Sequence, residues 1–243
     1  DSVRQFGYGQ LPGSGFPGES AGVVPVPGTP NWYGSTKTTM SYGYGLNVTP
    51  LQMAQAFATL GNGGQLVSPT FIRGQSADER TVRQVVDREV ANQVVQMMQT
   101  VVTNGGAKQA GILGYHVAGK TGTARKAGPG GYVRGRYNSL FAGLVPASNP
   151  RFATVIVIND PQGSSYYGGL VAAPVFHHVM EGALRLMDVP PDNIDAWLAA
   201  QADGKLGHSA SVLPAAPDPA LVPDAGAELD AVLPQALPEG AIP

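Results

Sequence analysis

The sequence predicts an α+β domain, an antiparallel sheet flanked by helices. Three observations carry that expectation. Apolar residues recur at helical spacing before and after the middle of the chain, in 50–60 and again in 170–187. Between those stretches lie three β-rich runs in close succession, 115–124, 137–145 and 152–159. The links between the runs are short, which favours antiparallel pairing over helical crossovers and leaves the helices at the ends of the sheet order.

Taken in order, residues 1–47 hold LPGSGFPGES and VPVPGTPNWYGS, too rich in turn residues for long regular elements, and read as a loop-dominated lead-in. Thr49 then offers a cap and Pro50 suits the first helical position. Met53, Ala56, Phe57 and Leu60 form an apolar stripe until Gly61-Asn62-Gly63-Gly64 stops it. A short strand is expected at 82–86. Asp87 should cap a second helix, with Val90, Val94, Met97, Met98 and Val101 on its core face and Asn104-Gly105-Gly106 ending it. The three strands follow, of which Phe152 to Asn159 (FATVIVIN) is almost continuously apolar. The turn Gly168-Gly169 leads to a last helix, Leu170 to Met187, with Val171, Val175, Val179, Ala183 and Leu186 on one side. Beyond Val189 the composition shifts: nine of the 21 prolines lie in 190–243 and no aromatic residue follows Trp197. Residues 1–189 therefore read as the domain. We expect 190–243 to be a flexible Pro/Ala-rich tail, apart from a short helix at 192–202, and to have no catalytic role.

Composition narrows the chemistry. Fifteen basic and 17 acidic residues give a net charge of −2, which argues against a broad footprint for nucleic acid or an anionic membrane surface. The absence of cysteine removes disulfides, thiolate metal sites and a cysteine nucleophile. No run approaches the roughly 18 apolar residues of a membrane span, and nothing calls for a cofactor.

One stretch reads in two ways. Gly114 to Thr121 (GYHVAGKT) satisfies the GxxxxGK[ST] pattern of a phosphate-binding loop. Such a loop works by delivering a glycine-rich turn to a helix N-terminus, where free N–H groups and the helix dipole meet the phosphates. Here a helix starting at Lys120 would contain Gly122 and be cut short by Gly128-Pro129-Gly130-Gly131. The nucleotide-binding reading is thus the weaker one. Read as a strand, the same residues place Lys120, Gly122 and Ala124 on one face and Thr121 and Thr123 on the other. A cation, two hydroxyls and a glycine within four residues suit an anionic, peptide-like ligand paired along an exposed strand edge. An ordinary edge strand with a protective lysine would look the same.

The surrounding motifs bear on that choice. SYGYGLNVTPLQMA at 41–54, HVAGKTGTARK at 116–126, SLFAGLVP at 139–146 and YYGGLVAAPVF at 166–176 together resemble the transpeptidase domain of class B penicillin-binding proteins. The likeness is to the division-specific peptidoglycan D,D-transpeptidases and runs from residue 1 to about residue 194. It implies the penicillin-binding/β-lactamase-like fold and serine acyl transfer on D-Ala-D-Ala stem peptides, with acylation by β-lactams as substrate mimics. A D,D-carboxypeptidase or β-lactamase of the same fold would use the same tetrad. Of the family's three motifs, SxxK, SxN and K[ST]G, only the third is present: no serine in the chain has Lys or Asn at the required spacing. The resemblance therefore implies the C-terminal part of the domain, which needs the part carrying SxxK and SxN as its partner. It implies that Lys120 brings positive charge to the reacting centre, that Thr121 and Thr123 receive the substrate carboxylate, and that Gly122 lets the substrate approach. It also implies that the Thr123 N–H lies in the oxyanion hole, and that Arg125, Tyr137, Tyr166 and Tyr167 line the cleft. Cell-division membrane proteins as further partners, and a place on the periplasmic face of the inner membrane held by an N-terminal anchor, follow from the same likeness.

Two other groups look chemical and are read as structural. His177 and His178 are adjacent on a helix, about 100° apart, so we assign them no metal. His116 is expected to pack, and His208 falls in the tail. Ser164-Ser165 has no base at useful spacing and reads as loop polarity.

Overall fold

The computed structural model describes residues 2–73, 82–129 and 131–202. Its centre is a three-stranded antiparallel sheet in the order β3-β4-β5, formed by β3 (Ala118–Gly128), β4 (Gly131–Val145) and β5 (Phe152–Asn159). Register is set by pairs such as Thr121↔Phe141 and Phe141↔Ile156, with an irregularity in β3 between Arg125 and Ala127. Before the sheet come two short helices, α1 (Ser2–Gln5) and α2 (Thr36–Ser41), then α3 (Pro50–Gly61). A two-stranded ribbon follows, β1 (Gln65–Val67) against β2 (Val82–Gln84), and then α4 (Arg88–Thr103). After the sheet come α5 (Gly168–Val171), α6 (Ala173–Leu186) and α7 (Ile194–Ala202).

Strand periodicity divides the sheet residues between two cores. Ala118 and Leu144, with Ala153 beside them, face Phe57 and Leu60 of α3 and Val95 and Met98 of α4. Phe141, Val145, Ile156 and Ile158 face the other way, onto Phe176, Met180 and Leu184 of α6. Phe141 and Phe176 meet edge to face at 4.8 Å, both fully buried. Sheet and helices thus form three layers, and the face of each β3 side chain follows from its parity.

The main elements agree with the sequence reading, except that the helix expected over 170–187 is two helices, α5 and α6, divided at Ala172, and the phase of the helices differs from it. In α4 the buried residues are Ala91, Val95 and Val102, whereas Val90 and Met97, expected inside, are 44% and 62% exposed. In α6 the buried set is Ala173, Phe176, Met180 and Leu184, while Val175, Val179 and Leu186 are exposed. Both helices carry apolar residues on more than one face, and spacing alone does not say which face meets the sheet. Asp87 stands at the N-cap of α4 but makes no side-chain capping bond.

Helix α3 departs further, because its most buried positions include Gln52, Gln55 and Thr59. Thr49 and Gln52 form the reciprocal capping box. The Gln52 amide then donates to the carbonyls of Gly7, Gln10 and Ala21. One buried side chain so supplies the partners of a lead-in that has little secondary structure of its own.

The sequence boundary at 189 does not mark the end of packing. Tyr115 donates to the Val189 carbonyl, Asn193 N–H donates to the Gly114 carbonyl, and Trp197 lies against Gly114. Asp192 accepts from His116 N–H at 2.7 Å and from Ser148 N–H and Oγ at 3.2 and 2.6 Å. Polar bonds and one indole hold 189–197 on the domain, where composition had suggested a tail. Residues 203–243, with His208, lie outside the described residues.

Candidate active site

The tetrad Lys120–Thr123 is extended, in the middle of β3, and no helix begins at Lys120. A phosphate-binding loop is thereby removed, since its N–H groups must converge at a helix start. Among the described residues β3 pairs only with β4, so its other edge is unpaired.

The direction of the edge amides follows from one hydrogen bond. Arg125 N–H donates to the hydroxyl of Tyr44, 3.2 Å away, and therefore points away from β4. Alternate residues of a strand direct their N–H and C=O groups to the same side, so the amides of Thr121 and Thr123 face that outer edge as well. The Lys120 ammonium agrees with this polarity: Nζ reaches the Thr121 carbonyl at 3.0 Å from an exposed position. Tyr44 occupies the edge at Arg125 and leaves Thr121 to Thr123 open. It is itself buried, packed edge to face on Tyr132 at 5.5 Å and tilted against Tyr42 at 5.9 Å. Burial, and then the neighbouring Tyr44, push the Tyr132 phenol above its ordinary value, so Tyr132 stays uncharged.

Side chains divide by parity as the alternation requires. Lys120 and Gly122 lie on the α3/α4 face, across from Ala142 and Leu140. A Cβ at Gly122 would meet Leu140 at 3.4 Å, an ordinary contact, so the chain's own packing does not demand glycine there. Thr121 and Thr123 lie on the α5/α6 face. Gly168 N–H donates to the Thr123 hydroxyl at 3.2 Å, and Ser139 Oγ donates to the Tyr166 carbonyl. These two bonds fasten the Tyr166–Gly168 turn to β3 and β4. The approach is close: a Cβ on Gly168 would stand 2.2 Å from the Leu140 carbonyl oxygen and 2.5 Å from that of Gly122.

That turn carries an aromatic stack beside the tetrad. Tyr137, opposite Arg125 in the ladder, stacks on Tyr166 at 4.0 Å with planes 8° apart, and Tyr166 stacks on Tyr167 at 4.6 Å. The Tyr166 hydroxyl donates to that of Tyr167 at 3.3 Å. This bond, then burial and the neighbouring phenols, hold the Tyr166 proton well above the ordinary phenol range, so Tyr166 is a neutral donor. At the stack's far end, Arg136 binds Asp160, whose amide donates to the Tyr137 carbonyl.

All eight residues singled out in the sequence therefore fall around one strand: Lys120, Thr121, Gly122, Thr123 and Arg125 on β3, Tyr137 on β4, and Tyr166 and Tyr167 on the turn. Tyr44, Ser139, Gly168 and Asp192 were assigned no role there. Tyr44 and Arg125 are 81 residues apart, a separation no spacing rule reaches. His116 also differs from expectation: its side chain is 43% exposed, with Nδ1 3.5 Å from Asp192 instead of packed in the core.

An extended lysine-threonine edge with outward amides, walled by tyrosines and backed by helices on both faces of the sheet, has the form expected of the K[ST]G strand of a transpeptidase domain. Comparison with known proteins agrees: residues 1–181 match the model of the penicillin binding protein transpeptidase domain, and the chain belongs to that family. Within it the chain groups with the class B, division-type members. It is 41% identical over 217 residues to the peptidoglycan D,D-transpeptidase FtsI of Escherichia coli, covering 86% of this chain and 36% of that protein. It is 40% identical over 195 residues to the probable peptidoglycan D,D-transpeptidase PbpC of Pseudomonas aeruginosa, covering 80% and 34%. Among solved structures, the transpeptidase domain of penicillin-binding protein 3 from Burkholderia pseudomallei superposes with a TM-score of 0.71 at 35% identity, covering 79% of this chain and 57% of that one. Penicillin-binding protein 3 of Mycobacterium tuberculosis in complex with ampicillin gives 0.69 at 36% identity, covering 79% and 46%. The chain thus spans about a third of the length of these curated relatives.

Proposed function

We propose that this chain supplies the substrate-binding strand of a peptidoglycan D,D-transpeptidase, which crosslinks D-Ala-D-Ala stem peptides at the division septum and is acylated by β-lactams. The observation that carries the reading is the unpaired outer edge of β3, with the Thr121 and Thr123 amides outward and the Lys120 ammonium beside them. A stem peptide adds to this edge as a further strand, its terminal carboxylate near the ammonium and the threonine hydroxyls. Gly122 is the position where a side chain would meet that guest and little else.

The nucleophile comes from the SxxK segment, which this chain does not contain. Its hydroxyl adds to the carbonyl of the penultimate D-Ala, and the bond to the terminal D-Ala breaks as that residue leaves with a proton. The amine of a second stem peptide then displaces the serine and forms the crosslink. This chain's part is to hold the peptide, to place positive charge beside the reacting centre, and to offer the Thr123 N–H to the developing oxyanion. One such donor is worth on the order of 3 kcal/mol of transition-state stabilisation. The Tyr137–Tyr166–Tyr167 stack excludes water on one side. The domain acts on the periplasmic face of the inner membrane, among division membrane proteins; no described helix is long and apolar enough to cross a membrane.

Covalent labelling by a fluorescent penicillin, with the SxxK/SxN segment added as a separate chain, tests this. Labelling should appear only in the mixture, and Lys120→Ala should abolish it. Undiminished labelling of that variant would refute the assignment.

A further inference from the structure

Helix α6 carries a group of side chains that the proposed reaction does not use. Ligand atoms of His177, His178 and Glu181 all lie within 4.8 Å of one another. Adjacent histidines on a helix diverge, which is why the sequence suggested no shared ion. Glu181 removes the difficulty: it sits four residues after His177 and three after His178, the two spacings at which helix side chains meet, so its carboxylate lies within reach of both rings. The imidazoles themselves approach edge to face, with centroids 5.0 Å apart.

A second observation concerns His177 alone. Its Nδ1 lies 2.6 Å from the carbonyl oxygen of Gly111, in the turn before β3. A carbonyl can only accept, so Nδ1 carries the hydrogen, and in the neutral ring the lone pair is on Nε2. Metal-binding histidines are commonly held in this way, one nitrogen donating to a backbone carbonyl while the other ligates. The nearby cation is no obstacle. Arg185 reaches Glu181 only at 3.9 Å and is 74% exposed, an ion pair of little strength.

We propose that His177, His178 and Glu181 form a binding site for a divalent transition-metal ion of the zinc class, outside the catalytic edge. Two imidazoles and a carboxylate are the donor set that zinc takes in three-ligand sites, with water completing the tetrahedron. Tetrahedral ligands about 2 Å from the ion stand roughly 3.4 Å apart, so the widest pair, within 4.8 Å, must close by up to about 1.4 Å. His178 is exposed and free to turn by that amount. The nitrogen donors select against magnesium and calcium, which prefer oxygen. The bound ion would join α6, through His177, to the Gly111 turn that leads into β3.

Isothermal titration calorimetry of the full 243-residue chain with zinc sulfate tests the proposal, with magnesium chloride as the comparison and the melting temperature followed in parallel. The expected result is one saturable zinc site in the micromolar range, a melting temperature that rises with zinc, and no response to magnesium. His178→Ala, at an exposed position, and Glu181→Gln, at a half-buried one, should each weaken binding at least tenfold and abolish the thermal shift. His208→Ala should leave both unchanged. No saturable zinc heat, affinity untouched by His178→Ala and Glu181→Gln, or affinity lost instead in His208→Ala would each overturn the site.

Discussion

Replacing Gly168 with alanine places one methyl group where two backbone carbonyl oxygens already stand, at 2.2 Å from Leu140 O and 2.5 Å from Gly122 O. Neither oxygen can turn aside, since Gly122 and Leu140 are partners in the β3–β4 ladder. The turn must lift instead. Forcing a methylene into a packed site costs about 1–3 kcal/mol, and loss of the Gly168 N–H bond to the Thr123 hydroxyl adds about 1 kcal/mol. We expect about 2–4 kcal/mol of destabilisation together. An internal control lies in the same segment: Gly182 of α6 is exposed, a Cβ there would meet nothing within 4 Å, and Gly182→Ala should stabilise by roughly 0.5–1 kcal/mol through helix propensity. Equilibrium urea unfolding separates the variants. With a slope of about 1–3 kcal/mol per molar urea, their midpoints should differ by about 1 M or more. Because the lifted turn carries Tyr166 and Tyr167, Gly168→Ala should also reduce penicillin labelling in the complemented assay. Coincident midpoints for the two alanine variants would show that the turn does not bear on β3 as closely as described.

Two further outcomes follow from other parts of the fold. Asp192→Ala removes the acceptor of three hydrogen bonds, to His116 N–H and to Ser148 N–H and Oγ, and should cost about 2–3 kcal/mol. Hydrogen exchange should then speed at His116 and Ser148 while the centre of β4 is unaffected; unchanged exchange at both amides would contradict the latch. The Arg136–Asp160 pair makes a pH prediction. Hydrogen bonding to Arg136 holds the Asp160 carboxyl below its usual 3.8, against a smaller opposing effect of desolvation. A depressed folded value means a stabilisation present above the unfolded pKa and lost as pH falls through the folded one. Wild type and Arg136→Ala should therefore differ in urea midpoint near pH 5 and converge as pH falls below 3.8 through the depressed folded value. Parallel curves over that range would dismiss the pair as a contributor.

Much of the candidate site was legible because it is local. Lys120 to Thr123 share one strand, and the period of two assigns their faces without knowledge of any neighbour. Strand existence was equally plain from FATVIVIN and SLFAGLV, runs whose composition suits a sheet buried on both sides. Helix α3 announced itself through Thr49 and Pro50, adjacent residues at the turn that they start. The resemblance to a family rested on such local motifs, and the comparisons bear it out.

What the sequence by itself determined, then, was the kind and order of the elements and the chemical character of one edge, because these depend on residues a few positions apart. Only the tertiary structure decided which face of α4 and α6 meets the sheet, since each helix carries apolar residues on two sides and the core selects the one that fits Ala118 and Leu144 for α4 and Phe141 for α6. It alone decided that Tyr44 closes the β3 edge at Arg125, that Gly168 presses on the strand, that Gln52 anchors the lead-in, and that Asp192 keeps the 189–197 segment docked. Each of these joins residues 31 to 81 positions apart. Their contacts are satisfied by position in space, and distance along the chain carries no trace of it.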